Sequence, residues 1–219
     1  QTFAVTFGSS TCNFSILFAP GTPPATDHFP TTLNSYWAYA LQGGTSSDSL
    51  MIKVIPYTLN AGGNSYSTFT VDNIPASGSP DSLYYRKGGG LFYEYFNTQA
   101  FFGFDGPGTP PNVEYKFLDT TVAQGATWNS PNMTGMSSGV SYTIFIKMTL
   151  TGKAVPVTIG SYNFQNVMKV KYEYFVTVAP GTPFFTEERW FAKGVGMIYN
   201  SFNDGTNTNI YNIGRYLVF

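Results

Sequence analysis

Asn166-Val167-Met168-Lys169-Val170-Lys171-Tyr172-Glu173-Tyr174-Phe175-Val176-Thr177-Val178 decides the fold class. Met168, Val170, Tyr172, Tyr174, Val176 and Val178 recur at every second residue, whereas Lys169, Lys171, Glu173 and Thr177 take alternate positions. Side chains of an extended strand leave its two faces in turn, so this pattern describes a strand with one buried and one wet face. Residues 141–149 repeat it, with Tyr142, Ile144, Ile146 and Met148 against Thr143, Lys147 and Thr149. Strands of this kind belong to antiparallel sheets, which can leave one face in water.

Composition extends the reading to the whole chain. Aromatic residues make up 18% of the 219 residues and are joined by 23 Gly and 14 Pro, a mixture that suits pleated strands and tight turns and handicaps helices. Further strands are expected at 34–42, 49–56, 66–71, 81–86, 91–96, 113–118, 153–159 and 208–219. Turn signals separate them: Asn60-Ala61-Gly62-Gly63-Asn64, Lys87-Gly88-Gly89-Gly90, Thr151-Gly152-Lys153 and Asn203-Asp204-Gly205-Thr206. The tetrapeptide Pro-Gly-Thr-Pro occurs at 20–23, 107–110 and 180–183, each a turn, at intervals too unequal for a structural repeat. One stretch conflicts with the β reading. Thr186-Glu187-Glu188-Arg189-Trp190-Phe191-Ala192-Lys193-Gly194 carries a cap candidate, early acids, a late base and a closing glycine, the local signature of a short helix. Residues 1–24 read as an N-terminal arm or an added strand pair, and 25–219 as one antiparallel β domain with little helix.

Charge and reactive residues narrow the function. Eleven Lys+Arg against 12 Asp+Glu give a net charge of −1, so no basic field exists to attract a nucleic-acid backbone. Cys12, the single cysteine, cannot close an intrachain disulfide, and reads as a small core or strand residue; one histidine, His28, leaves little for general-base or zinc chemistry. His28 beside Asp27 reads as a turn or surface residue. The adjacent pair Glu187-Glu188 points to opposite faces of a strand, which does not suit a facing acid and nucleophile. Gly88-Gly89-Gly90 lacks the Lys-Ser/Thr of a phosphate cradle, and the aspartates are scattered rather than set in a calcium loop. No catalytic residue, metal or cofactor is expected. No apolar run approaches the length that spans a bilayer, and the start at Gln1 lacks a basic region followed by an apolar one, as in a mature or excised chain; a lipid anchor would lie upstream of Gln1.

Aromatic rings are the abundant resource. A flat apolar ring with a polar tip suits sugar faces and protein interfaces, and the candidates are Trp37, Tyr84, Tyr85, Tyr93, Tyr95, Trp128 and Trp190. Their plain alternative is that a sheet of this size fills its core with rings. Gly194 and Gly196, read as one strand face with Trp190, Ala192 and Ile198, leave a gap for a ligand, a crossing side chain or a bend.

Several short motifs, in order, resemble cell-surface or periplasmic lipoproteins of Bacteroidota. His28-Phe29-Pro30-Thr31-Thr32-Leu33-Asn34-Ser35-Tyr36-Trp37-Ala38-Tyr39 resembles their "YFPL..G..W.Y" opening, with Asn34 where glycine is usual. Val155-Pro156-Val157-Thr158-Ile159-Gly160-Ser161-Tyr162-Asn163-Phe164-Gln165-Asn166-Val167-Met168-Lys169-Val170 is similar to "G..F.NV.KV", and Arg189-Trp190-Phe191-Ala192-Lys193-Gly194-Val195-Gly196-Met197-Ile198 to "..YFAKGVGLI". Gly125-Ala126-Thr127-Trp128 is similar to their "GDTW" turn. The resemblance implies a curved antiparallel sheet, half-barrel or sandwich-like, akin to the LolA-like half-barrel of lipoprotein carriers. It makes 186–194 a strand against the local helix signals. It also implies an envelope location and no enzymatic activity. The function expected is binding of an envelope partner protein or a glycan, within an outer-membrane assembly; the alternative is a periplasmic lipid or lipoprotein carrier that uses the concave face. The envelope pathway brings O-glycosylation acceptors of the form Asp-Ser/Thr-apolar or Asp-Ser/Thr-Thr, at Ser49, Ser82 and Thr120.

Overall fold

A computed structural model of the chain describes residues 2–7, 10–15, 27–44, 49–74, 81–104, 112–137, 139–177 and 181–219. The first strands, β1 (Thr2–Phe7) and β2 (Ser10–Ser15), pair antiparallel with each other as a two-stranded sheet. There follow β3 (Tyr36–Leu41), β4 (Ser49–Ala61), β5 (Asn64–Ile74), β6 (Asp81–Gly88) and β7 (Leu91–Asn97). A single turn of helix, α1 (Thr98–Phe102), leads on to β8 (Asn112–Asp119), β9 (Thr127–Asn129) and β10 (Met133–Ser137). The chain continues through β11 (Val140–Ile159), β12 (Tyr162–Val176), β13 (Phe185–Ala192), β14 (Gly196–Asn203) and β15 (Thr208–Leu217).

β3 to β15 form one antiparallel sheet in the order β10-β11-β12-β13-β14-β15-β3-β4-β5-β6-β7-β8, with β9 beside β11. It consists of two meanders joined where β15 pairs with β3. The alternation of residues 166–178 is realised in β12: Met168, Val170, Tyr172 and Tyr174 are at most 2% exposed, whereas the Lys171 side chain is 46% exposed. Val178 lies outside the described residues. Residues 186–194, despite their helix signals, supply β13, because pairing with β12 and β14 buries Phe185, Glu187 and Phe191 on one face. Tertiary burial outweighs a local preference of a few tenths of a kcal/mol per residue.

Two expectations are corrected. Thr151-Gly152-Lys153 is no turn, and 141–149 and 153–159 are not separate strands. Both lie in β11, whose register against β12 slips at Gly152 and again at Val155 and Val157. The glycine serves close packing, since a Cβ on Gly152 would press on the Lys169 side chain at 3.2 Å. Such bulges add an unpaired residue and sharpen the local coil of the strands. Others interrupt β4–β5, β7–β8, β13–β14 and β15–β3, so the sheet curls until its halves face each other. Gly194, secondly, does not share a strand face with Gly196; it lies in the turn between β13 and β14.

The curled sheet is not closed into a barrel. Among the described residues no ladder joins β8 to β9 or β10, but the Trp128 indole donates to Lys116 O at 2.8 Å across that seam. Deeper in, the Tyr172 hydroxyl donates to Phe117 O at 2.8 Å and the Tyr39 hydroxyl to Met197 O at 2.8 Å. The hairpins expected at Gly62-Gly63 and Gly89-Gly90 are present, each with both central residues at positive φ.

Residues 27–34 strap one end of the curl. Lys87 pairs with Asp27 at 2.5 Å, and Gly194 N donates to Asp27 O at 2.8 Å. His28 is half-buried with Nε2 2.9 Å from Asn166 O, and burial lowers its pKa. Phe29 inserts among Phe69, Tyr85 and Phe117, at ring-centroid distances of 5.5, 4.7 and 5.1 Å. Asn34, standing where a glycine is usual, has φ +68°, a conformation asparagine tolerates better than most residues.

Candidate ligand-binding site

The alternation of β13 puts Phe185, Glu187, Arg189 and Phe191 on the concave face and Glu188 and Trp190 on the convex one. In β7 the same rule places Glu94 inward between Phe92 and Phe96. The curl then brings β7 against β13. The Arg189 guanidinium grips Glu187 with two parallel hydrogen bonds, Nε to Oε1 at 2.7 Å and Nη2 to Oε2 at 3.0 Å. Its Nη1 reaches Glu94 Oε2 at 3.3 Å, and its plane lies 4.8 Å over the Tyr172 ring.

Neighbouring groups complete the cluster. The Tyr115 hydroxyl donates to Glu94 Oε2 at 2.8 Å, the Tyr174 hydroxyl to Glu187 Oε2 at 3.0 Å, and Asn200 Nδ2 to Glu187 Oε1 at 2.8 Å. Both glutamates are 5% exposed. Burial raises the Glu94 pKa, opposed by the Arg189 charge and the Tyr115 hydrogen bond and reinforced by the Glu187 charge. Burial alone would lower the Arg189 pKa, but the Glu187 carboxylate holds it well above its ordinary value. Tyr85, Tyr115 and Tyr174 are raised by burial.

Beside the cluster the concave face is not filled. A cavity of about 580 Å³ opens between the halves, walled by Leu50, Ile52, Phe69, Leu83, Phe117 and Phe202 and bordered by Glu94, Glu187, Arg189 and Asn200. Phe29 and Trp37 close it at the strapped end, while Phe101, 43% exposed, and the exposed Ser82 stand at the other. That volume is in the range of small-molecule pockets, and an apolar wall with a few convergent polar groups is their usual lining.

The aromatic candidates divide between the two faces. Trp37 and Tyr85 are buried on the concave side; Trp37 stacks near Phe69 at 6.0 Å and donates to Val195 O at 2.5 Å across Gly196. A Cβ on Gly196 would meet the indole at 3.0 Å, so the gap expected at this glycine admits a crossing side chain. Tyr84 and Tyr95 are half-buried, next in sequence to the paired Tyr85 and Glu94, and both border the cavity's edge. Tyr95 stacks on Tyr66 at 5.1 Å, and Tyr93 lies 3.9 Å beneath the Arg86 guanidinium, which is paired with Glu114. Trp128 sits at the seam near Lys116. Trp190 stacks on Tyr199 at 4.0 Å, with the Lys169 ammonium 3.7 Å over its ring.

Of the glycosylation candidates, Ser82 is exposed and the half-buried Thr120 hydroxyl donates to Gly90 O at 3.0 Å; the Ser49 side chain lies outside the described residues. Among the described residues no three metal-ligating side chains gather, and no helix is long and apolar enough to cross a membrane.

Glu94, Glu187, Arg189 and Asn200 went unselected in the sequence, although a signal exists. Under the period-two reading, Glu94 interrupts Phe92 and Phe96, and Glu187-x-Arg189 interrupts Phe185 and Phe191, placing charge where alternation calls for apolar side chains.

An open, strongly curled antiparallel sheet with a chamber on its concave face is the class these features define. No protein-family model matches the sequence, and no curated protein matches it. Among solved structures, the fold is similar to that of a "putative lipoprotein" from Parabacteroides distasonis, at 13% identity and a TM-score of 0.52, over 88% of this chain and 99% of that one. A "putative exported protein with YmcC-like fold" from Bacteroides fragilis aligns over the same shares at 12% identity and a TM-score of 0.45.

Proposed function

We propose that this is a non-catalytic protein of the cell envelope that takes an amphiphilic small molecule into the concave face of its sheet. The observation that carries the reading is the chamber of about 580 Å³, apolar along its walls and charged at one place. A core that served packing alone would close such a space, because interiors of folded proteins pack to crystal-like density. Catalysis finds no support there: the ionisable groups are committed to one another, and His28 is held at Asn166 O, away from them. The envelope location rests on the motif resemblance and on the description of the Parabacteroides protein as a lipoprotein. A lipid anchor upstream of Gln1 belongs to the same reading.

A second reading, capture of a partner protein or glycan, draws on the convex face, where half-buried Tyr93 lies beneath the Arg86 guanidinium and Trp190 stacks on Tyr199. The test of the first is native mass spectrometry of protein incubated with an envelope lipid extract, beside titration with the uncharged probe N-phenyl-1-naphthylamine. Stoichiometric adducts and saturable fluorescence are expected in the wild type. Both should be lost in Leu83→Trp, which places an indole in the chamber. Absence of adducts and of saturable fluorescence in the wild type would overturn it.

A further inference from the structure

Resting on that binding reading, we infer that the chamber is a site for an amphiphile bearing a protonated primary amine, with the ammonium against Glu94 and Asn200 and the apolar body along the aromatic wall. Three observations converge. First, charge: two carboxylates, Glu94 and Glu187, share one guanidinium, so the fully ionised cluster has one excess negative charge, and three of the Arg189 N–H groups bond those carboxylates. Buried charge without a counter-charge is costly; an incoming cation relieves that cost and an incoming anion adds to it.

Second, the cluster keeps acceptor capacity that nothing among the described residues fills. The Tyr115 and Tyr174 hydroxyls and Asn200 Nδ2 already donate to the glutamates, while Asn200 Oδ1 is buried with no partner among the described residues. An ammonium offers three donors and no acceptor, which complements such a set. Third, the surrounding rings, Tyr85 and Phe117 among them, are the surfaces over which cations are held. As the ammonium enters, its positive charge offsets the one excess negative charge of the ionised cluster, and the occupied site is neutral.

The test compares octylamine, octanol and octanoate binding to the wild-type protein at pH 7.5 by calorimetry, each below its micellar range. The amine should bind at least tenfold more tightly than the alcohol, and octanoate most weakly. In Glu94→Gln the preference for amine over alcohol should fall about tenfold with alcohol affinity retained. Equal binding of the three chains, or tightest binding of octanoate, overturns the amine assignment and leaves the chamber as a binding site. No binding of any chain overturns the reading on which it rests. Because the three-chain comparison uses the wild type, it decides the matter even where Glu94→Gln does not fold.

Discussion

Replacement of Arg189 by methionine probes the interior most directly. The change keeps length and apolar contact with Tyr172 but removes the guanidinium that bridges β13 to β7. Glu94 and Glu187, each 5% exposed, are then left facing one another without a counter-charge. Breaking a buried ion pair from one side costs about 3–5 kcal/mol. For a chain of this size each kcal/mol shifts Tm by about 2–4 °C, so a loss on the order of 10 °C at pH 7.5 is expected.

The loss should shrink in acid. Burial raises the Glu94 pKa, so the folded state binds the proton more tightly than the unfolded chain, whose carboxyl titrates near 4.3. Stability therefore falls as pH rises from that unfolded value through the folded one, and it recovers as pH falls. Removing Arg189 withdraws the stronger of the two groups that oppose the shift, leaving the Tyr115 hydrogen bond, which moves the window upward. Tyr85, Tyr115, Glu187 and the ring of Tyr172 remain around the carboxyl. Urea unfolding of both proteins between pH 5 and 8 measures this. Arg189→Met should approach the wild type at pH 5 and diverge by pH 8, and combination with Glu94→Gln should restore part of the loss. An Arg189→Met protein within 0.5 kcal/mol of the wild type at every pH would falsify the view that these carboxylates depend on Arg189.

Two further outcomes test the frame around the site. Val170→Asp places a carboxylate at a fully buried position and should cost several kcal/mol in urea unfolding, whereas Lys171→Asp on the wet face should cost about 0.5 kcal/mol or less; equal losses would contradict the alternation of β12. Gly196→Ala, at φ +107° with the Trp37 indole 3.0 Å from the new Cβ, should cost about 1–3 kcal/mol and shift tryptophan emission, while Gly181→Ala, with open space around it, should do neither.

Much of the sheet is legible in the sequence because its physics is local. Alternation in β12 and the glycines at Gly62-Gly63 and Gly89-Gly90 follow from backbone geometry within a few residues. β11 misleads for the same reason. Thr151-Gly152-Lys153 has turn chemistry, and only the Lys169 side chain packed against Gly152, from another strand, makes it a bulge. The chamber is less legible still. Glu187 and Arg189 look locally like the charged ends of a helix, and their meaning depends on Glu94, 95 residues from Arg189, which reaches them only after bulges have curled the sheet. Of the aromatic candidates, Trp37 and Tyr85 reached the concave face and Tyr93 and Trp190 did not, a division set by odd and even position within each strand.

The pairing of β15 with β3 has a consequence for how the molecule is made. Every other ladder of the large sheet joins strands close in the chain, but β3 spans residues 36–41 and its second neighbour is built from residues 208–217. During synthesis, β3 can acquire β4 early while its other edge, bearing the backbone groups of Trp37 and Tyr39, waits until residues 208–217 have been made. An unpaired edge of that kind invites pairing with a neighbouring chain. The arrival of β15 thus unites two meanders and also withdraws an open strand edge from the surroundings.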